Sequence, residues 1–270
     1  MILFPIAKIN LGLHVLNKRP DGFHEIESCL YPIPLCDILE IIPADETKFL
    51  QTGIDFPNSN EKNICQKAYD LLAANYNIPP VFMHLRKQIP IGAGLGGGSS
   101  DAAFVLKGLN ELFSLNISQL NLESFAAELG SDCPFFITSL PCLVSGRGEV
   151  LSPSNIDLSG KFLVLINPNI HISTKDAYAL INPKKPAGKL EEILSGDQNK
   201  WKRSLVNDFQ VPISKKYPII SETIDFLYEN GAYYAAMSGS GSTVFGLFDS
   251  EPVHVIKRVN GLVFAGKLAR

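Results

Sequence analysis

The chain has 270 residues, of which 46% are apolar and 19% charged. That is enough for one large domain or two ordinary ones, and it excludes disordered and collagen-like classes. A net charge of −3 argues against a broad nucleic-acid or membrane-surface footprint, so neither is expected as a partner.

Five cysteines (Cys29, Cys36, Cys65, Cys133, Cys142) form no C-x-x-C pair, which fits a reduced, cytoplasmic compartment better than a disulfide framework or a zinc site. The first eight residues lack a basic region followed by a long apolar core, so they do not read as a signal peptide. No apolar run approaches the roughly 20 residues that span a bilayer.

Residues 6–16 alternate with a period of two. Ala7, Ile9, Leu11, Leu13 and Val15 fall on one face, Lys8, Asn10, Gly12 and His14 on the other, which predicts a half-buried strand. Arg19 to Gly22 reads as a turn. Glu25 to Ile42 reads as extended, broken by Pro32 and Pro34, and residues 43–62 as loop and turn. A helix is predicted over Asn63–Tyr76 and a strand over Val81–Lys87, separated by Pro79-Pro80. After a glycine-rich loop, Ala102, Val105, Leu106, Leu109, Leu112 and Phe113 mark a helix with a strong apolar stripe. Ser99, Ser100 and Asp101 stand where N-caps belong. A second helix, about Ser118 to Leu129, stops at Gly130, and residues 131–136 form a loop. Leu143-Val144 and the turn around Gly146-Arg-Gly148 close this half.

Residues 152–157 read as a linker. Beyond it come a strand over 161–166, a short helix over Thr174–Ile181, weak helical patterns over 183–216 and a helix over Ile219–Glu229. Strands over 232–237 and 243–248, a helix over 253–259 and a last strand over 262–267 complete the chain. That order suits an antiparallel α+β layer of ferredoxin-like kind.

The stretch from Ile91 to Asp101 has five glycines in eleven residues and leads from a strand into a helix. Such a turn lets backbone approach a phosphate closely, with the unpaired N–H groups of the first helical turn aimed at it. It is not a Walker A loop, because Gly98 stands where the lysine would. Gly92, Gly94 and Gly97 match G-x-G-x-x-G, but helices follow in place of a strand ending in an acid. An NAD(P)-dependent oxidoreductase is therefore the weaker alternative.

Other residues stay open on pattern alone. Lys8 and Asn10 fit either an ordinary solvated sheet face or a lysine beside a transferring phosphate. Asp132 fits a turn or a general base. The second glycine-rich turn, Ser238 to Ser242, fits a hairpin connection or a wall of the same site. His14 and His24 have no partners at metal-ligand spacing, so no metal cage is expected.

Three segments, Pro5-Ile-Ala-Lys8-Ile-Asn10, Pro90 to Asp101 and Ser238-Gly-Ser-Gly-Ser-Thr-Val-Phe245, resemble in order the motifs of the GHMP kinases. Arg19-Pro-Asp-Gly-Phe-His24, Gly130 to Phe136, Gly146 to Leu151 and Val206-Asn-Asp208 narrow the resemblance. They look like the branch that phosphorylates a cytidine-diphosphate-linked polyol, on the tertiary 2-hydroxyl of its methylerythritol unit, in the non-mevalonate isoprenoid route.

The resemblance implies an α+β, two-domain GHMP-kinase-like fold. An N-terminal α/β domain (1–151) would bind ATP, a C-terminal ferredoxin-like α+β domain (152–270) would bind substrate, and the active site would lie in the cleft between them. It implies ATP and Mg²⁺ as cofactors, no protein metal ligand, and a monomer or homodimer. Lys8 and Asp132 match the family's catalytic pair. Pro90, Gly92, Ala93, Gly94, Leu95, Gly96, Gly97, Gly98, Ser99 and Ser100 match its nucleotide loop. Asn10, Phe23, His24, Thr174, Tyr178, Gly239 and Ser240 match its acceptor-binding positions, with Phe23 stacking on the cytosine, His24 hydrogen bonding to it and Tyr178 on its other face. Phe23 departs from the tyrosine more usual there. Another acceptor of the same family, mevalonate or homoserine, is the runner-up.

Overall fold

The computed structural model describes residues 1–54, 62–184, 186 and 188–269. In chain order, the first half holds β1 (Ile2–Leu3), β2 (Ile6–Lys18), β3 (His24–Cys36), β4 (Ile38–Pro43), β5 (Lys48–Gly53), α1 (Ile64–Asn75), β6 (Val81–Lys87), α2 (Gly97–Leu112), α3 (Gln119–Leu129), α4 (Phe135–Thr138), β7 (Cys142–Ser145) and β8 (Val150–Pro153). The second half holds β9 (Phe162–Ile166), α5 (Thr174–Ala179), α6 (Leu190–Ser195), α7 (Trp201–Ser204), α8 (Gln210–Lys216), α9 (Ile219–Glu229), β10 (Tyr234–Met237), β11 (Val244–Phe248), α10 (Val253–Ile256) and β12 (Leu262–Lys267). No helix among the described residues is long and apolar enough to cross a membrane.

Two compact units interleave along the chain. One takes Met1–Ala7, Leu35–Ile91 and Gly96–Leu140; the other takes Lys8–Pro34, Gly92–Leu95 and Pro141–Arg270. The first unit has a sheet of order β1-β4-β6-β5. β4 pairs antiparallel with β6, Ile41 opposite Met83, and β5 pairs parallel with β6, Phe49 opposite Met83. Helix α2 packs on β4, α1, α3 and α4, burying Val105, Leu106 and Leu109 with Leu72 of α1 and Ile41 of β4. Gly108 permits that approach, since a Cβ there would lie 2.5 Å from Leu3 Cδ1. Asn63 starts α1 with a capping box: Asn63 Oδ1 accepts from Cys65 N at 2.9 Å and Gln66 Oε1 from Asn63 N at 3.3 Å.

The second unit has two sheets, β2-β3-β7-β8 and β10-β11-β9-β12. Every pairing in the latter is antiparallel, and its strand–helix–strand–strand–helix–strand order is the ferredoxin-like layer expected. One core joins both sheets to the helices. Leu13 and Val15 of β2 and Ile26 of β3 pack with Val164, Ile166, Met237, Val244, Ile224 and Leu227.

Several local expectations are corrected. The polar face of β2 is not solvated: Lys8, Asn10 and His14 are as buried as its apolar face, because the chain packs on both sides of this strand. Pro32 and Pro34 do not break the extended run but lie inside β3. They fall beyond Ser28–Leu30, the stretch paired with β7, so their missing N–H groups cost that pairing nothing; the break comes at Asp37. The polar segment after residue 43 holds strand β5, an exposed edge strand specified by its pairing with β6 more than by its own pattern. The part of that segment at 55–61 lies outside the described residues, as do 185 and 187 of the weakly helical stretch. The loop over 131–136 gives way to the short helix α4. Ser99, Ser100 and Asp101 do not cap α2. The helix begins earlier, at Gly97, from the left-handed Gly96 and without a side-chain cap.

Because the Asn63 side chain caps the half-buried start of α1 and otherwise makes only a long hydrogen bond to Gln51 at 3.4 Å, Asn63→Ala should cost about 1 kcal/mol. Urea unfolding monitored by circular dichroism should show a lowered midpoint with an unchanged slope.

Candidate active site

The glycine turn is built by backbone sterics. Gly92, Gly94 and Gly96 have φ of 64°, 78° and 71°, a region that L side chains enter at a cost. Gly94 has a second reason to be glycine. A Cβ there would lie 2.0 Å from the Ser238 carbonyl oxygen, so the first glycine turn and the Ser238 turn touch backbone to backbone. Thr243 N donates to Ala93 O at 3.2 Å and Lys8 N to Leu95 O at 3.0 Å. Gly92 faces His171, whose ring would be 3.4 Å from a Cβ. Pro90, half-buried, leads into the turn.

Around this contact a buried polar chain assembles. Lys8 Nζ donates to Asn10 Oδ1 at 2.5 Å and to Gly94 O at 3.1 Å. Asn10 Nδ2 donates to Ser28 Oγ at 2.9 Å, and Ser28 Oγ donates to Gly12 O at 2.6 Å. Ser238 Oγ accepts from Asn10 N at 3.3 Å and donates to Gly94 O at 2.8 Å. Lys8 is only 3% exposed. A buried ammonium is tolerated where oxygens surround it, and this one is held with its stem immobilised.

The Ser238 turn is fixed from behind by Asn207, whose Nδ2 donates to Met237 O at 2.7 Å and Gly239 O at 2.8 Å. A Cβ on Gly239 would stand 3.3 Å from Asn10 Oδ1, and Ser240 Oγ lies 3.5 Å from Thr174 Oγ1. Next to Asn207, Asp208 accepts from Val15 N at 2.9 Å. Burial works against the Asp208 carboxylate, but the His14 ring and that N–H hold it below the usual range.

The continuation of the glycine turn belongs to the first unit. Ser100 N donates to Gly96 O at 2.9 Å, so the helix is established within one turn. Its leading N–H groups have no intrahelical partners, and its dipole is positive at this end. Gly98 faces open space, with nothing within 4 Å of where a Cβ would stand. Ser99 bonds to the buried Cys133 thiol, which burial pushes up to about 12. Asp132 adjoins it in the turn between α3 and α4, closed by Cys133 N donating to Gly130 O at 3.1 Å.

Phe23 ends the turn between β2 and β3, and His24 opens β3. Arg19 N donates to Phe23 O at 2.8 Å and Phe23 N to Asp21 Oδ1 at 3.1 Å. Arg19 Nη1 donates to Glu25 at 2.8 Å, and Glu25 accepts from Gly146 N at 3.1 Å, which ties this turn to the one at 146–149. Phe23 is 52% exposed, with the Arg147 guanidinium 4.9 Å from its ring centre. His24 stacks on Tyr178 at 4.7 Å and 14°, and Tyr178 meets Phe209 edge-on at 4.9 Å. Burial and nearby Lys18 depress the His24 pKa.

Lys8, Asn10, Gly94, Leu95 and Gly239 thus come together, as do Thr174 with Ser240 and His24 with Tyr178. Residues whose roles the pattern did not reveal are Ser28, Asn207 and Arg147. The last two stand inside segments noted for resemblance, Val206-Asn-Asp208 and Gly146 to Leu151, and that was the available signal. Among the described residues, no group of three or more His, Cys, Asp or Glu side chains is placed to hold a metal.

Two glycine turns locked together beside a buried lysine, ahead of a helix N-terminus, define a class. Residues 63–139 match the GHMP kinases N terminal domain and residues 189–261 the GHMP kinases C terminal. The chain belongs to the GHMP kinases and is a small-molecule kinase.

Its relatives narrow the branch. A protein of Cytophaga hutchinsonii named 4-diphosphocytidyl-2-C-methyl-D-erythritol kinase is 51% identical over 253 residues, 93% of this chain and 94% of the relative. One of the same name from Parabacteroides distasonis is 49% identical over 254 residues, 94% and 93% of the two chains. A crystal structure of 4-(cytidine 5'-diphospho)-2C-methyl-D-erythritol kinase superposes with a TM-score of 0.84 at 29% identity, covering 100% of both chains.

The two glycines without and with space around them give a paired prediction. Gly94→Ala, left-handed and in collision with Ser238 O, should cost about 2–4 kcal/mol and lower the melting temperature. Gly98→Ala, helical and facing open space, should leave the melting temperature unchanged or raise it. Differential scanning fluorimetry of the two variants checks this.

Proposed function

We propose that the chain transfers the γ-phosphoryl group of ATP to the 2-hydroxyl of 4-diphosphocytidyl-2-C-methyl-D-erythritol, a step in isoprenoid precursor synthesis. The observation that carries the chemistry is the immobilised Lys8 ammonium at the glycine turn, held by Asn10 Oδ1 and Gly94 O. The acceptor is taken from the names of the relatives that share about half of this chain's residues. Five free cysteines accord with a cytoplasmic setting.

In this reading, phosphoryl transfer is mostly positioning and charge stabilisation. The triphosphate lies on the turn from Gly92 to Ser100, where glycines leave room and the α2 N–H groups favour anions. Bound with the nucleotide, Mg²⁺ would offset phosphate charge; among the described residues no cluster of His, Cys, Asp or Glu is placed to hold it. Asp132 takes the proton of the acceptor hydroxyl as its oxygen bonds to the γ-phosphorus and the bond to the departing ADP breaks. Lys8 stabilises the charge that develops, and Asn10 fixes Lys8. His24, kept neutral by its depressed pKa, has both a donor and an acceptor nitrogen to offer the cytosine, and Phe23 and Tyr178 supply ring faces. Thr174, Gly239 and Ser240 line the acceptor. Residues 1–151 carry the ATP site, and 152–270 complete the acceptor site.

General-base help is worth about 10²–10⁴-fold, so Asp132→Asn should lose about that factor in kcat while nucleotide affinity persists. Full activity would remove Asp132 from the mechanism. The acceptor is tested by coupled ADP release with the cytidine-diphosphate-linked polyol, mevalonate and homoserine side by side. Turnover is expected with the first. Turnover only with mevalonate or homoserine would overturn the assignment while leaving the kinase class intact.

A further inference from the structure

Beneath the first residue of α2, within the first unit, lies a buried charge cluster that the proposed mechanism does not use. Lys87, the last residue of β6, points its ammonium at two carboxylates. It donates to Asp37 Oδ2 and, at 2.7 Å, to Asp101 Oδ2. All three side chains are at most 5% exposed.

The two acids are not equivalent. Asp37, at the corner between β3 and β4, also accepts at Oδ1 from Gln88 N at 2.5 Å and Ile89 N at 2.9 Å. That clamps the chain just where β6 leaves for the glycine turn. Asp101, in α2, accepts from Lys87 and shares a side-chain hydrogen bond with Asp37, while its Oδ1 is buried without a partner among the described residues. The cluster reaches the turn itself. A Cβ on Gly97 would lie 3.2 Å from Lys87 Nζ and 2.9 Å from Ile89 Cγ2. The first residue of α2 therefore sits on the ammonium with no room for a side chain.

We propose that Asp37, Lys87 and Asp101 are the positioning residues of the triphosphate turn, seating the first turn of α2 on Lys87 and keeping the ground behind the phosphates free of net negative charge. The inference rests on the reading of residues 92–100 as the triphosphate site.

Charge decides how the cluster behaves. With Lys87 paired to Asp37, a protonated Asp101 makes the cluster neutral and an ionised one gives it a net charge of −1. Burial pushes the Asp101 carboxyl up and Lys87 pulls it down. Asp37 raises it further, to about 8. The other titratable group facing Asp101 is the Cys65 thiol of α1, which burial keeps protonated. A bound triphosphate and an ionised Asp101 repel across the helix start, so each disfavours the other by the same factor. Below pH 8 Asp101 holds its proton and nucleotide binds unopposed; as pH rises through 8 the proton is lost and affinity falls.

The test is the KM for ATP, the KM for the acceptor and kcat from pH 6.5 to 9.5, for wild type, Asp101→Asn and Asp101→Ala, with ADP affinity by calorimetry on the same proteins. In wild type the KM for ATP should rise about threefold to tenfold across pH 8, the size of a coupling below one pKa unit. Asp101→Asn, which mimics the protonated acid, should show no such rise, and this cancels any effect of ATP's own ionisation. Asp101→Ala, which leaves Lys87 short of a partner and a gap under the turn, should raise the KM for ATP about tenfold at pH 7 with the acceptor KM unmoved.

An Asp101→Asn enzyme that keeps the wild-type rise would overturn the inference. So would an Asp101→Ala enzyme that loses melting temperature and both KM values alike, which is the mark of a merely structural role. Should Asp101→Ala fail to fold, the Asp101→Asn profile decides alone. A wild-type protein that binds neither ATP nor ADP would bring down the reading of the turn, and the inference with it. Normal nucleotide binding with a pH-independent KM would bring down the inference only.

Discussion

The carbonyl oxygen of Gly94 is the point on which the site turns. It accepts from Ser238 Oγ at 2.8 Å and from Lys8 Nζ at 3.1 Å, and so joins segments 86 and 144 residues away in the chain. The junction exists because Gly94 has no Cβ: one would stand 2.0 Å from Ser238 O. Backbone contact this close fixes both turns to within the tolerance of a hydrogen bond. Long side chains reaching across a wider gap could not do that without losing rotamer freedom. The position of Lys8 follows from that contact, since its ammonium is anchored at one end of the same carbonyl.

Burying an ammonium is costly unless polar atoms replace its water. The strand supplies them in sequence. Asn10, two residues along β2 and so on the same face, turns its amide oxygen to Lys8. Its amide nitrogen then needs an acceptor and finds Ser28 Oγ on β3, which in turn donates to Gly12 O. Asn10 has its amide orientation fixed by this chain, with the oxygen forced towards the cation. Asn207 applies the same logic to the opposite wall, with two donors on two carbonyls of the Ser238 turn. The result is a lysine whose direction is set before any ligand arrives, the condition for electrostatic stabilisation without reorganisation.

Legibility in the sequence followed the range of the forces. Periodicity located α1, α2, α3, α9, β2, β6 and the ferredoxin-like order of the second half, because amphipathic patterns report a face buried by the element itself. It failed for β5, whose place is set by a partner strand, and for the start of α2, where the left-handed Gly96 replaces a side-chain cap. It also misjudged the polar face of β2. Alternation shows that two faces differ, but not whether the polar one meets water or other buried polar groups. The glycine turn, Lys8 and Asn10 were visible as residue types at motif spacing. Ser28 and the Asp37–Lys87–Asp101 cluster were not, since each acts through a contact between segments far apart in the chain; Asn207 was visible only as part of the Val206-Asn-Asp208 segment, without its role.

The five glycines of the turn are not interchangeable, and their surroundings differ. Gly92, Gly94 and Gly96 serve dihedral angles. Gly94 serves in addition the contact with Ser238, and Gly97 the contact with Lys87 and Ile89. Gly98 serves neither: its backbone is helical and a Cβ would meet nothing within 4 Å. A glycine at the second position of a helix weakens it relative to alanine. Folding of this chain gives no return for that weakness, whereas a phosphate approaching the first helical turn would need the space a side chain would fill. Gly98 is therefore a glycine that packing does not account for, and the proposed function gives its open space a use.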